Sequence, residues 1–196
     1  FDESFSLLKK TVLGCSNIRY PHKTYILDDG NRPELAEKAA EWNCEYISRK
    51  NRQHAKAGNL NNALSLTKGE FIVVFDADCV PTPDFFYITL GFFQDQKMGF
   101  VQTPHNYYNV SSFLFTFKQD KKKYWNTQDL FYRVIMPGRD YWNSSFFAGS
   151  AAVFRKKALV DIGGFATGSI TEDFHTSINI YSRGWNGRYV NEIVSN

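Results

Sequence analysis

The sequence predicts an α/β fold in which a mostly parallel sheet is flanked by helices, and three observations carry that prediction. Short apolar runs alternate with longer segments of helical periodicity through residues 1–105. Two of the runs, Tyr25-Ile26-Leu27 and Phe71-Ile72-Val73-Val74-Phe75, are continuously apolar, as strands covered on both faces are. Both run into carboxylates, Asp28-Asp29-Gly30 and Asp76-Ala77-Asp78, and in open α/β sheets ligands collect outside the carboxyl ends of strands.

The elements follow in order. Glu3 to Leu13 reads as a helix with Gly14 as its stop, Thr24 to Asp28 as a strand, and Pro33 to Trp42 as a helix with proline at its first position. Glu45 to Ser48 is a short strand, Ala55 to Leu66 a helix, Glu70 to Phe75 the central strand, Pro83 to Gln94 a helix and Gly99 to Thr103 a strand. After Pro104 the pattern loosens. A helix is expected over Phe117 to Val134, a strand over Ser150 to Phe154, and helices over Arg155 to Ile162 and Glu172 to Arg183. Lys121-Lys122-Lys123 falls on the first of these as a solvated basic face.

With 196 residues, 43% hydrophobic and 17% aromatic, the chain is long enough for one well-filled core. A net charge of +3, spread along the sequence, gives no support to a nucleic-acid partner. Three cysteines at irregular spacing, Cys15, Cys44 and Cys79, argue against a disulfide framework or a zinc knuckle and fit a reducing compartment. No window approaches the roughly eighteen apolar residues that a membrane span needs.

The motifs define the chemistry. On an extended segment, side chains two apart point the same way, so Asp76 and Asp78 can approach one object. Two carboxylates at close range suit a hard divalent cation, Mg2+ or Mn2+. Asp28-Asp29-Gly30 reads either as a turn or as a second acidic cluster on the same rim. His54-Ala55-Lys56-Ala57-Gly58-Asn59-Leu60-Asn61 opens a helix, and free amides with a nearby lysine make a place for phosphate oxygens. Phe146-Phe147-Ala148-Gly149-Ser150 combines aromatic rings with a close backbone, which suits a sugar ring or plain core. Thr171-Glu172-Asp173, after Gly163-Gly164-Phe165, is placed to start a helix.

Taken together and in this order, these motifs resemble the family 2 glycosyltransferases, most closely the catalytic subunits of bacterial cellulose synthases. The similarity covers nearly the whole chain and extends to Val101-Gln102-Thr103-Pro104-His105, Phe131-Tyr132, Pro137-Gly138 and Trp142. The resemblance implies a GT-A (Rossmann-like) nucleotide-sugar fold. The implied reaction is inverting transfer of glucose from UDP-glucose to the end of a β-1,4-glucan. Residues 1–105 would form the nucleotide-sugar and metal half, and residues 106–196 the acceptor and general-base half. It implies that Asp28 and Asp29 hold the uridine end, that Lys56 faces the diphosphate, that Asp76 also contacts the nucleotide, and that Asp76 and Asp78 ligate Mg2+ or Mn2+. Asp173 would be the general base. Phe146, Phe147, Gly149, Ser150 and Glu172 would line the acceptor site.

The chain departs from the family pattern in three ways. Cys79 stands where many relatives carry His after the second aspartate. An apolar first strand is expected to precede Phe1, and the Gln-x-x-Arg-Trp segment to follow Asn196. The resemblance therefore implies a single catalytic-domain fragment of a membrane-embedded synthase on the cytoplasmic face of the inner membrane, with possible accessory subunits. Related chitin, hyaluronan or mannan synthases share the acidic motifs. A non-catalytic nucleotide-binding module and a metal-dependent phosphotransferase or nuclease are the readings from other classes.

Overall fold

The computed structural model describes residues 3–105 and 127–195. Its first unit is α1 (Phe5–Ser16), β1 (Tyr25–Asp28), α2 (Pro33–Glu41) and β2 (Glu45–Ser48), in which β1 and β2 pair in parallel. The Ser4 side chain caps the first turn of α1 by accepting from the Leu7 amide. Leu8, Val12, Ile26, Leu35 and Ala39 close a small core between the two helices and the strands. Gly14 lies inside α1 rather than ending it. A Cβ there would sit 2.6 Å from Val80 Cγ1, so the glycine serves a close approach between α1 and the segment after the Asp76–Asp78 turn.

The rest of the described chain builds one four-stranded sheet. It follows α3 (Ala55–Leu66) and comprises β3 (Phe71–Val74), β4 (Met98–Gln102), β5 (Ala152–Arg155) and β6 (Asn186–Tyr189), in the order β3-β5-β4-β6. Strand β5 runs antiparallel to both its neighbours, whereas β4 and β6 are parallel. Strands β3, β4 and β6 thus point one way and β5 is inserted against them. The apolar character of Ala152–Phe154 reveals a buried strand but not its direction. Strand β6 was not expected at all, because Asn186-Gly187-Arg188-Tyr189 carries no apolar run.

Alternation along the paired strands divides the core. Phe100 and Phe154 are paired in register and face Leu64, Phe147, Leu159, Phe165 and Ile180. Val101 and Val153, one residue on, face Phe85, Phe86, Phe93 and Val190 on the opposite side. The helix expected over Pro83 to Gln94 is α4 (Phe85–Thr89) continued as a 3-10 turn (Leu90–Gln94). The next described segment is α5 (Thr127–Leu130), a π-helical turn (Phe131–Ile135) and α6 (Met136–Tyr141). Pro137 has no N–H for the carbonyl four residues back, and the widened turn lets the helix continue through it. The expected start of this helix at Phe117, and Lys121–Lys123, lie outside the described residues. Helices α7 (Lys156–Asp161) and α8 (Glu172–Ser182) complete the fold.

The two sheets share no strand pairing among the described residues. Between β1 and β3 lies a cavity of about 1390 Å³, bordered by Tyr25–Asp28 and Phe71–Asp76 and floored by α1 and α3. Among the described residues no helix is long and apolar enough to cross a membrane.

Candidate active site

Strand direction brings the motifs to one rim. The C-terminal ends of β1, β3 and β4 and, because β5 is antiparallel, its N-terminal end all open there, together with the starts of α3 and α8. Asp28 is buried and its carboxylate is fully engaged. It accepts from the Gly30 and Arg32 amides at 2.9 Å each and from the Tyr46 hydroxyl at 2.8 Å, and it pairs with the Arg32 guanidinium at 3.2 Å. Burial opposes its ionisation, yet these donors outweigh it and hold the carboxyl below the usual range. Burial and the adjacent carboxylate push the Tyr46 hydroxyl up to about 12, so it remains a donor.

Asp29 makes a forked pair with Arg49, at 2.6 Å to Nε and 2.8 Å to Nη2. Arg49 also donates to the Gln53 and Ala55 carbonyls at 2.8 Å each, joining the Asp28–Gly30 turn to the start of α3. His54, at φ 62°, directs that start. Tyr46 and Arg49 were missed because an isolated Tyr or Arg in sequence carries no sign of its partner; the fork between Arg49 and Asp29 exists only once β1 and β2 are paired.

Lys56, one residue into α3, donates its ammonium to Asp76 and to the Gly149 carbonyl at 2.7 Å. Strand β3 ends at Val74, and Asp76 to Cys79 form a turn closed by the Cys79 amide on the Asp76 carbonyl at 3.0 Å. The two aspartates therefore share the rim through a turn and not through strand alternation. Thr11 of α1 donates to the Ala77 carbonyl at 2.6 Å and anchors that turn. Asp78 is exposed at its outer side. Burial pushes the Cys79 thiol up.

Loop Ala148–Ser150 joins the two halves of the chain. Ser150 is buried and its hydroxyl accepts from the Asp76 amide at 2.8 Å. Gly149, at φ +91°, lies so close to both sides that a Cβ would sit 3.6 Å from Asp173 Oδ2 and 4.0 Å from Lys56 Nζ. Asp173 is in the first turn of α8, and its Oδ1 accepts from the Phe174 amide at 2.7 Å. The other oxygen is the one directed to Gly149. Burial lowers the His105 pKa, leaving a neutral ring that bonds the Ser150 carbonyl at 2.9 Å and stacks beside Tyr132.

Two of the expected acceptor residues, Phe147 and Ser150, are closed to solvent. Phe147 is 1% exposed and packs edge-on against Phe154, so it belongs to the core. Ser150 spends its hydroxyl on the backbone of Asp76 and is closed to solvent. Gly149, expected in the acceptor site, is half-buried and lies between Lys56 and Asp173. Phe146 remains at the margin, with Phe174 at 5.0 Å, Phe131 at 5.9 Å and the Arg139 guanidinium 5.0 Å from its ring centre. Glu172 is half-buried in the first turn of α8.

A metal would find two carboxylates here. Among the described residues no cluster of three or more potential ligand side chains occurs. That donor set is too small for an all-protein cage but fits Mg2+ or Mn2+, which are held by one or two carboxylates together with substrate phosphates and water.

The fold is that of an α/β domain of the GT-A glycosyltransferase class. A mannosyltransferase from Pyrobaculum calidifontis, solved with GDP-Man and Mn2+, superposes with a TM-score of 0.75 at 20% identity, over 100% of this chain and 54% of that one. S. aureus TarS 1-349 with UDP-GlcNAc superposes at 0.62 with 13% identity, over 96% of this chain and 56% of that one. The chain belongs to glycosyl transferase family 2, whose pattern matches residues 1–163. It is 40% identical over 194 residues to the cellulose synthase 1 catalytic subunit [UDP-forming] of Komagataeibacter xylinus, covering 97% of this chain and 26% of that protein. The cellulose synthase catalytic subunit [UDP-forming] of Pseudomonas fluorescens (strain SBW25) is also 40% identical, over 97% and 26%. The chain spans about a quarter of the length of these relatives, and about an eighth of Cellulose synthase 1 of Komagataeibacter xylinus, to which it is 41% identical over 97% of its residues.

Proposed function

We propose that this chain forms the donor site and the general-base site of an inverting glycosyltransferase that moves glucose from UDP-glucose onto the end of a β-1,4-glucan. The observation that carries the reading is the position of Gly149, in contact range of both Lys56 and Asp173. A cationic group for a diphosphate and a carboxylate for an acceptor hydroxyl thus meet at one point. The names of the cellulose synthase relatives, and UDP-GlcNAc in TarS, support a UDP-sugar donor.

Lys56 would exchange Asp76 for the phosphate oxygens and orient the diphosphate at the start of α3. Asp76 and Asp78 would hold Mg2+ or Mn2+, which supplies Lewis-acid stabilisation of the charge on departing UDP. Asp29 with Arg49, on the turn shaped by Asp28, would receive the uridine end. Asp173 would take the proton of the attacking hydroxyl at Oδ2, since Oδ1 is already occupied by the Phe174 amide. The hydroxyl then displaces UDP in one step, which inverts the anomeric carbon. Phe146 and Phe174 would form an apolar wall against the acceptor sugar.

The cavity between β1 and β3 fits this reading if a strand from outside the described residues completes the sheet there. Asn59 supports it: its side chain is buried beside the cavity and its Oδ1 has no hydrogen-bond partner among the described residues. An added backbone would supply both strand pairing and that donor. The full protein would then be a membrane-embedded synthase presenting this domain to the cytoplasm.

Calorimetric titration with UDP, with and without Mn2+, tests the donor site. Binding that needs the cation and disappears in the Asp76→Asn, Asp78→Asn double variant is the expected result. Binding of equal strength in that variant would remove both aspartates from the site.

A further inference from the structure

One side chain holds the loop in which the two halves of the site meet. Gln102, the last residue of β4, is completely buried. Its amide nitrogen donates to the Thr103 carbonyl at 2.7 Å and to the Ser150 carbonyl at 2.8 Å, and its amide oxygen accepts from the Ala148 N–H at 2.9 Å. Two carbonyls on one side and an N–H on the other admit a single orientation of the amide. A buried polar group with its partners in place rigidifies what it joins.

Loop 148–150 needs such a restraint. Gly149 has no side chain to pack, yet its carbonyl receives Lys56 and its Cα faces Asp173. Ser150 carries the Asp76 amide on its hydroxyl, and its carbonyl is shared by Gln102 and His105. A shift of this loop would therefore move the diphosphate-binding and proton-accepting groups relative to one another.

We propose that Gln102 is a positioning residue for sugar transfer: it clamps Ala148 and Ser150 so that Lys56 and Asp173 meet at Gly149 and Asp76 is held at Ser150. It touches no substrate and acts through the loop. The proposal rests on the roles assigned above to Lys56, Asp76 and Asp173.

Gln102→Met, which keeps the length of the side chain and removes all three hydrogen bonds, provides the test. Gln102→Asn, which keeps the amide but draws it back by one methylene, is the second variant. Amide hydrogen exchange is followed in the chain itself, UDP and Mn2+ titration in the same samples, and turnover in the full-length protein. The expected result is loss of protection at the Ala148 and Asp76 amides with the rest of the sheet unchanged and UDP affinity held within about threefold. With it, kcat should fall roughly 10- to 100-fold at nearly constant donor KM, as a misplaced catalytic geometry does. Unchanged exchange at both amides, unchanged kcat, or protection lost evenly through the sheet would each overturn the proposal, as would failure of both variants to fold. Absence of UDP binding by the unsubstituted chain would instead count against the functional reading, while the exchange measurement still decides whether Gln102 holds the loop.

Discussion

Asp173 presents its two oxygens to different tasks, because the Phe174 amide takes Oδ1 and leaves Oδ2 toward Gly149. An amide in its place keeps the shape and removes the carboxylate proposed above as the base. Asp173→Asn is therefore expected to lower transfer by roughly 10²- to 10⁴-fold while UDP affinity stays the same, and parallel calorimetry and UDP-release assays would show it. Asp28 carries a different prediction. Its carboxyl is held below the ordinary range in the folded state, so its contribution to stability is complete above the unfolded-state value of about 4 and is lost as pH falls through the folded value. Asp28→Asn should cost about 1.5–3 kcal/mol at neutral pH, and the difference from the parent should shrink below about pH 4; urea unfolding at both pH values measures it. Sequence reasoning identified both aspartates from their motifs. It did not reveal that Asp28 is committed to Tyr46 and Arg32, since those bonds form across β1, β2 and the turn.

The neighbouring phenylalanines of the 146–150 segment differ in burial, Phe146 half-buried and Phe147 closed to solvent. Phe147→Ala should destabilise the fold by about 3–5 kcal/mol through the cavity it leaves in the core. Phe146→Ala should cost about 1–2 kcal/mol and act chiefly on acceptor use; thermal melts and acceptor-dependent kinetics separate the two. Gly149→Ala places a side chain at φ +91°, which should cost about 1–2 kcal/mol through backbone strain; thermal melts measure it. Most elements were legible at this scale: Glu45–Ser48 and Ala55–Leu66 match their expected bounds, because apolar pattern and end signals agree there. Strand β6 and the continuation of α6 through Pro137 were not, since one depends on pairing with β4 and the other on a widened helical turn.

At the scale of the molecule, β1 and β3 each have one edge unpaired among the described residues, both border the cavity, and unpaired edges exchange their amides quickly. On the proposed reading, in which a strand from outside the described residues covers them, hydrogen exchange is expected to be fast along the cavity-facing sides of both strands in the 196-residue chain and slow once that strand is added; equal exchange in the two would exclude an inserted strand. The sequence by itself determined the family, the α/β class and the acidic, basic and aromatic motifs, because each is written in contiguous residues whose chemistry needs no partner to be read. Only the tertiary structure decided that β5 runs against its neighbours, and hence that Gly149 and Ser150 stand at the rim beside Asp76. It also decided that Phe147 is core and that Gln102 grips the loop. Those outcomes depend on contacts between residues about 50 to 100 positions apart, whose geometry exists only when the chain has closed its loops and paired its strands.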